Sequence, residues 1–167
     1  MIATLRPLTF EGLAPPAGIC VVPYVAANRR DVVALLHELP VLYPGGAEWL
    51  QRRLTDVEHG YAYCRLVWRD EELVGVAIET PKPVHRLKLS TLFVRPDVRR
   101  RGVGRFLTTM LVTEWLSTYR TNCYVTVAQT RCGALNRLLQ PLGFSHTITV
   151  EARYGADRNE CVLSWRP

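Results

Sequence analysis

The stretch from Arg86 to Leu116 constrains the fold of this chain more than any other. Arg86 to Val94 reads as a strand. Arg95-Pro96-Asp97-Val98-Arg99-Arg100-Arg101-Gly102-Val103-Gly104 then makes a turn rich in arginine and glycine. From Gly102 to Leu116 the apolar residues Val103, Phe106, Leu107, Met110, Leu111 and Trp115 recur on one side of a helix. A strand that enters a helix through such a turn points several backbone N–H groups outward, and the helix dipole adds about half a positive charge there. Glycine lets a phosphate approach the backbone where a side chain would hold it off. The segment is therefore suited to a pyrophosphate; the plainer alternative is a basic turn that merely starts a helix.

The rest of the chain supplies layers around this unit. Residues 1–18 are punctuated by Pro7, Gly12, Pro15, Pro16 and Gly18 and read as an irregular arm, with a short strand possible at Thr4 to Leu8. Residues 19–167 read as a single domain. Ile19 to Ala26 is a strand. Asn28 offers an N-cap with Asp31 in the capping position, and the helix that follows should end at Pro40. A second helix runs from Ala47 to Val57. Tyr61 to Trp68 and Leu73 to Ile78 form a hairpin, and Pro81 and Pro83 make the next loop. Tyr124 to Ala128 is a short strand, and Cys132 to Leu139 a helix closed by Pro141 and Gly143. His146 to Arg153 and Cys161 to Trp165 are the last strands, separated at Gly155-Ala156-Asp157. The order β-α-α-β-β-β-α-β-α-β-β predicts a mixed α/β sheet covered by helices. The strands around Leu89 and Tyr124, joined by a helix, should run parallel.

Composition narrows the function classes. The chain has 167 residues, 48% hydrophobic and 22% charged, as expected of one soluble globular domain. Its apolar runs fall far short of the roughly 18 residues that a spanning helix needs. The start lacks a secretory pattern, so the cytoplasm is the expected location. Net charge is +6, almost all from arginine, with Lys82 and Lys88 the only lysines. That fits an anionic partner such as a phosphorylated cofactor or a nucleic acid, and it equally fits coding bias. The five cysteines, Cys20, Cys64, Cys123, Cys132 and Cys161, are odd in number and show no CxxC spacing, so neither a disulfide framework nor a metal site is expected.

With these residues in view, the chain resembles the GNAT acyltransferases. Arg99-Arg100-Arg101-Gly102-Val103-Gly104 fits their Q/R-x-x-G-x-G/A signature, the approach through Val94 and Pro96 is similar, and Leu142-Gly143-Phe144 closes the next helix as in that family. The resemblance covers about residues 19 to 166. It implies a central mixed sheet of six to seven strands flanked by about four helices, with acetyl-CoA as cosubstrate. By the same resemblance the amides of Arg100 to Gly104 should cradle the CoA pyrophosphate, with Arg99 heading the motif. The backbone of Leu92, Phe93 and Val94 should pair with the pantetheine arm. A splay between that strand and the one at Tyr124 to Ala128 should admit the thioester. A backbone N–H near Leu92 should polarise its carbonyl, and an amine should attack directly without an acyl-enzyme.

Two positions depart from the family. Leu139 stands where many members carry a tyrosine that serves as general acid, and Cys132 stands near the helix start where asparagine is common. The candidate bases are Glu79, at the end of the strand preceding the motif strand, and His85, just before that strand. Each has a plainer reading, a solvated carboxylate and a loop histidine. Ser90 or Thr91 could position water; Tyr124 or Tyr154 could replace the missing acid. His37, His59 and His146 receive no role, and Cys123 and Cys132 lack an adjacent partner that would activate a thiol. Tyr43, Trp49 and Leu50 belong to a region that walls the acceptor pocket in this family, although core packing is the commoner use of such residues.

The resulting expectation is an acetyl-CoA-dependent N-acetyltransferase whose acceptor is a small amine or a protein amine. One alternative is an acetyltransferase toxin acting on aminoacyl-tRNA, which Arg29, Arg30, Arg52 and Arg53 would suit. Another is a module that binds CoA without transferring. A nucleic-acid binder with no CoA site would leave the Gly102 and Gly104 spacing unexplained. No membrane contact is expected, and the chain should be a monomer or a homodimer.

Overall fold

The computed structural model describes residues 13–118, 122–152 and 159–165. Strand β1 (Ile19–Pro23) leads through a 3-10 turn at Ala26–Asn28 into helices α1 (Arg29–Leu35), α2 (Leu39–Leu42) and α3 (Gly46–Glu58). Strands β2 (Tyr63–Arg69), β3 (Glu72–Lys82) and β4 (Arg86–Val94) follow, then a 3-10 turn at Pro96–Val98 and helix α4 (Val103–Ser117). Strand β5 (Cys123–Ala128), helix α5 (Gln129–Leu139), a 3-10 turn at Gln140–Leu142, β6 (Phe144–Val150) and β7 (Glu160–Trp165) complete the order. The seven strands lie in the order β1-β2-β3-β4-β5-β7-β6. β4 and β5 pair in parallel, as the helix between them requires, and β1–β2, β5–β7 and β6–β7 pair antiparallel.

The chain divides into two compact units. One comprises the chain up to Ile78 together with Thr91–Met110; the other comprises Glu79–Ser90 together with the chain from Leu111 onward. In the first unit, Val22, Tyr24, Leu66, Val76 and Ile78 of the strand region cluster with Val32, Leu36, Leu50 and Leu54 of the helices. Each fully buried leucine contributes about 1.5–3 kcal/mol relative to an exposed one. Trp49 and Phe93 pack against the same cluster, so Trp49 and Leu50 are core residues. A polar clasp fixes α1 to α3. Arg29 donates to both carboxylate oxygens of Glu58, to Gln51 and to Thr55, while the Tyr24 hydroxyl donates to Glu58 at 2.7 Å. Burial and the neighbouring Glu58 push the Tyr24 hydroxyl well above its ordinary pKa.

The second unit is built on an aromatic cluster. Trp115 meets Trp165 and Phe144 edge-on, with centroids 5.5 and 6.0 Å apart. Both indole N–H groups are satisfied, Trp165 by the Leu142 carbonyl at 2.9 Å and Trp115 by Glu79. β4 pairs with β5 from Leu87↔Cys123 to Leu89↔Val125, and β5 pairs along its whole length with β7.

Several expectations need correction. The helix after Asn28 does not run unbroken to Pro40. It ends at Leu35, and Pro40 sits in the first turn of α2, where its missing N–H costs nothing. Asn28 does not cap α1 with its side chain; its Oδ1 accepts the Val25 N–H at 3.2 Å and closes the preceding turn instead. β3 does not stop at Ile78. Pro81 fixes φ in a range that an extended chain accepts, so the strand continues to Lys82. α5 begins at Gln129, three residues before Cys132. The possible strand at Thr4 to Leu8, the loop at Gly155-Ala156-Asp157 and Tyr154 lie outside the described residues.

Candidate active site

The turn from Val94 to Gly104 belongs to the first unit and is tied to it at its start. There the Arg95 N–H donates to the Val74 carbonyl at 2.8 Å. The Arg95 guanidinium donates to both oxygens of Asp97 and to Glu72 at 2.7 Å. The hydrogen bonds of this clamp lower the pKa of the Asp97 carboxyl. Arg95 is thereby spent on structure. Its neighbour Arg99 leans back over the end of β4, donating through Nε to the Val94 carbonyl at 2.7 Å, with its guanidinium 5.7 Å from the Phe93 ring centroid.

The backbone then changes hand. Arg100 has φ +61° and Gly102 has φ +83°. Left-handed residues alternating with ordinary ones turn successive N–H groups into one concavity, a common way of holding an anion. Glycine takes that conformation freely, whereas Arg100 pays roughly 1–2 kcal/mol for it. Such strain is found where a ligand clamp requires it. The first intrahelical bond, from the Phe106 N–H to the Gly102 carbonyl at 2.8 Å, starts α4 at once. The N–H groups of the first helical turn are left without intrahelical acceptors. Arg99, Arg100, Arg101 and Arg105 are exposed around them. Left-handed backbone, a helix N-terminus and exposed guanidinium groups thus lie together in this turn, a combination whose chemistry suits an anion such as a pyrophosphate.

On the strand that leads there, Leu92, Phe93 and Val94 are half-buried. Phe93 packs into the first unit's core, so by alternation Leu92 and Val94 face the other side of the sheet. The Phe93 carbonyl passes close to Gly75, where a Cβ would stand 3.1 Å from that oxygen and 3.2 Å from Val67 Cβ. Gly75 was a legible signal, since glycine inside a strand marks a close approach.

The candidate bases sit in contrasting settings. Glu79 is neither at a strand end nor solvated: it is 3% exposed within β3 and accepts the Trp115 indole N–H at 2.5 Å. His85 lies in the exposed β3–β4 turn. Glu79 lies three residues before the end of its strand, roughly 10 Å along the chain, whereas His85 lies beyond that end. Val84 and His85 both have positive φ, +61° and +53°. Ser90 donates to the Thr80 hydroxyl at 2.8 Å, and Thr91 is half-buried. The Tyr124 ring is covered by the Arg86 guanidinium, 4.4 Å from its centroid. Leu139 is completely buried. Burial and the neighbouring Cys161 push the Cys132 thiol up to about 11, so Cys132 is protonated at neutral pH and is no nucleophile. His37 is exposed, with Nδ1 3.1 Å from the Ala34 carbonyl.

A mixed sheet that delivers an anion-holding turn to a helix N-terminus is the frame of a protein that takes a phosphorylated cosubstrate. Residues 31–144 match the family model described as Acetyltransferase (GNAT) family, and the chain belongs to that family. It is thus an acyltransferase, with acetyl-CoA as the family's acyl donor. Solved structures agree in fold. A GNAT family acetyltransferase from Elizabethkingia anophelis, with acetyl-CoA bound, is 15% identical, with TM-score 0.70 over 90% of this chain and 99% of that one. The ribosomal-protein-S18-alanine N-acetyltransferase from Escherichia coli is 15% identical, with TM-score 0.73 over 89% and 93%. A ribosomal-protein-alanine N-acetyltransferase from Brucella melitensis is 16% identical, with TM-score 0.74 over 88% and 99%. At these identities the likeness is one of fold. No curated protein matches the sequence. No described helix is long and apolar enough to cross a membrane.

Proposed function

We propose that this protein is an acetyl-CoA-dependent N-acetyltransferase that passes the acetyl group directly to an amine within a ternary complex. The observation that carries this reading is the change of backbone hand at Arg100 and Gly102 immediately before α4. Acetyl-CoA, when bound, supplies an acetyl thioester open to an amine nucleophile. The amides of Arg100 to Gly104 hold the pyrophosphate, and Arg99 and Arg101 offset its charge. The backbone of Leu92 to Val94 receives the pantetheine arm. The Leu92 N–H donates to the oxygen on which negative charge develops. The carboxylate of Glu79 is engaged by Trp115 and His85 lies in the exposed β3–β4 turn, so neither is assigned as the base in this reading. The five cysteines form no disulfide, which supports a reducing compartment, the cytoplasm.

Among acceptors, a protein α-amine is the reading we favour, because structural relatives are named for ribosomal-protein alanine. A small amine is the next choice. The tRNA reading is weakened by the arginines it invoked. Arg29 is committed to Glu58, and Arg53 pairs with Asp56 at 3.0 Å. Leu139 keeps one further reading in play, a CoA-binding module without transfer.

The test is thermal unfolding with and without acetyl-CoA. At one hundred times its dissociation constant the ligand should add about 2.7 kcal/mol, a rise of roughly 5–10 °C for a chain of this length. Gly104→Glu places bulk and negative charge in the cradle at a helical position, and Arg101→Glu reverses an exposed charge without threatening the fold. Both should suppress the rise. No rise in the wild type would sink the proposal. Transfer of labelled acetyl to peptides with a free N-terminal alanine then separates the enzyme from the module.

A further inference from the structure

Three residues given no joint role by the sequence come together in the second unit, away from the Arg99–Gly104 turn in the chain. Cys132 lies on α5, His146 on β6 and Cys161 on β7, and their ligand atoms all lie within 4.8 Å of one another. The local fold explains the convergence. α5 packs against β5, β6 and β7. Cys161 stands opposite Thr149 in the β6–β7 ladder, so their side chains share a face. His146 is three residues from Thr149 and in a regular strand would point to the other face. The ladder is irregular between His146 and Ile148, where one extra residue restores the parity. The result is direct: His146 Nε2 is 3.2 Å from Thr149 Oγ1, which in turn is 3.9 Å from Cys161 Sγ. Bulges are enriched at sheet edges, where β6 lies, and beside functional sites, and this one brings His146 to the face that carries Cys161.

We propose that Cys132, His146 and Cys161 form a binding site for a borderline-soft divalent cation of the zinc class. Two sulfurs and one imidazole are the ligands such an ion prefers, and three protein ligands leave a fourth position for water. Zinc–ligand lengths of about 2.3 Å for sulfur and about 2.0–2.1 Å for nitrogen place tetrahedral ligands roughly 3.5–3.8 Å apart. Closure therefore asks about 1 Å of adjustment, which the exposed His146 can supply by rotating. Thr149 is placed to hold the imidazole. Cys161 is buried, Cys132 half-buried and His146 exposed, so the ion would enter from the His146 side and pin α5 to the β6–β7 ladder. Spacings of fourteen residues from Cys132 to His146 and fifteen from His146 to Cys161 hide this site from any motif based on short CxxC pairs. The proposal does not rest on the acetyltransferase reading.

The test uses the full chain, reduced and freed of metal with a chelator, titrated with Co2+. The expected result is one ion per chain, with visible bands of tetrahedral cobalt and thiolate-to-cobalt charge transfer, bleached by one equivalent of Zn2+. Cys132→Ser should remove much of the charge-transfer band. His146→Ala, at an exposed position that leaves the fold intact, should weaken binding at least about tenfold. Cys20→Ser should change nothing. Absence of these bands in the reduced wild type overturns the proposal, and so does their persistence, unchanged, in both Cys132→Ser and His146→Ala.

Discussion

The turn from Val94 to Gly104 and helix α5 meet the family's pattern in opposite ways. The turn keeps the arginine–glycine signature, and its backbone takes the left-handed steps that the glycine permits, at Gly102 and also at Arg100. α5 forms as a helix of the expected kind, but with Cys132 and a fully buried Leu139 at the positions where the resemblance places polar groups. In the proposed function the turn acts chiefly through main-chain N–H groups, with Arg99 and Arg101 adding charge, so it depends first on a backbone conformation. α5 contributes to chemistry only through particular side chains. A cofactor cradle can therefore survive where an acid does not.

The largest effect expected from that difference is at Leu139. It is packed on every side, so Leu139→Ala should cost about 2–5 kcal/mol and lower Tm by roughly 5–15 °C. Leu139→Tyr should also destabilise, by about 1–3 kcal/mol, because the core has no room for the added atoms. Its turnover should not exceed that of the wild type. A stable Leu139→Tyr variant with faster turnover would break the comparison, by showing that α5 can present an acid after all.

The same contrast explains what could be read in advance. β4 was legible to the residue, and α4 to within one residue, because alternation, glycine and helical spacing are local signals. Pro40 misled because the same residue ends one helix and suits the first turn of the next. The setting of Glu79 was not legible, since it depends on Trp115, thirty-six residues away. The Arg95 clamp was half-legible: Asp97 is close in sequence, whereas Glu72 arrives from β3. The meeting of Cys132, His146 and Cys161 turns on a bulge that alternation alone does not reveal.

A smaller effect should differ in sign between the two regions. Gly102 holds φ +83°, so Gly102→Ala should cost about 1–2 kcal/mol and also weaken the stabilisation by acetyl-CoA. Gly133 is an exposed helical residue of α5, where a Cβ would meet nothing nearer than Arg137 Nη1 at 3.9 Å. Gly133→Ala should therefore stabilise by about 0.4–1 kcal/mol and leave the ligand effect unchanged. Urea unfolding of both variants checks the pair; equal shifts in the same direction would show that the backbone of the turn is not special.

The smallest effect lies in the pH dependence, where the two regions should fail at opposite ends. Asp97 has its pKa lowered in the folded protein by Arg95, from an ordinary value near 3.8. Its contribution is fully present above that value. Below it the unfolded chain binds a proton first, and the contribution is lost as pH falls through the folded pKa. Cys132 behaves in the reverse sense. Its pKa rises from 9.0 to about 11, so folding is unpenalised below pH 9. Between about 9 and 11 the unfolded thiol ionises while the folded one does not, and stability falls as pH rises. The urea midpoint, followed with a chelator and reductant present, should thus droop at both limbs. Asp97→Asn should remove part of the acid limb only, and Cys132→Ser part of the alkaline limb only. The converse pattern would mean that the Arg95 clamp and the Cys132–Cys161 contact do not govern the regions to which they belong.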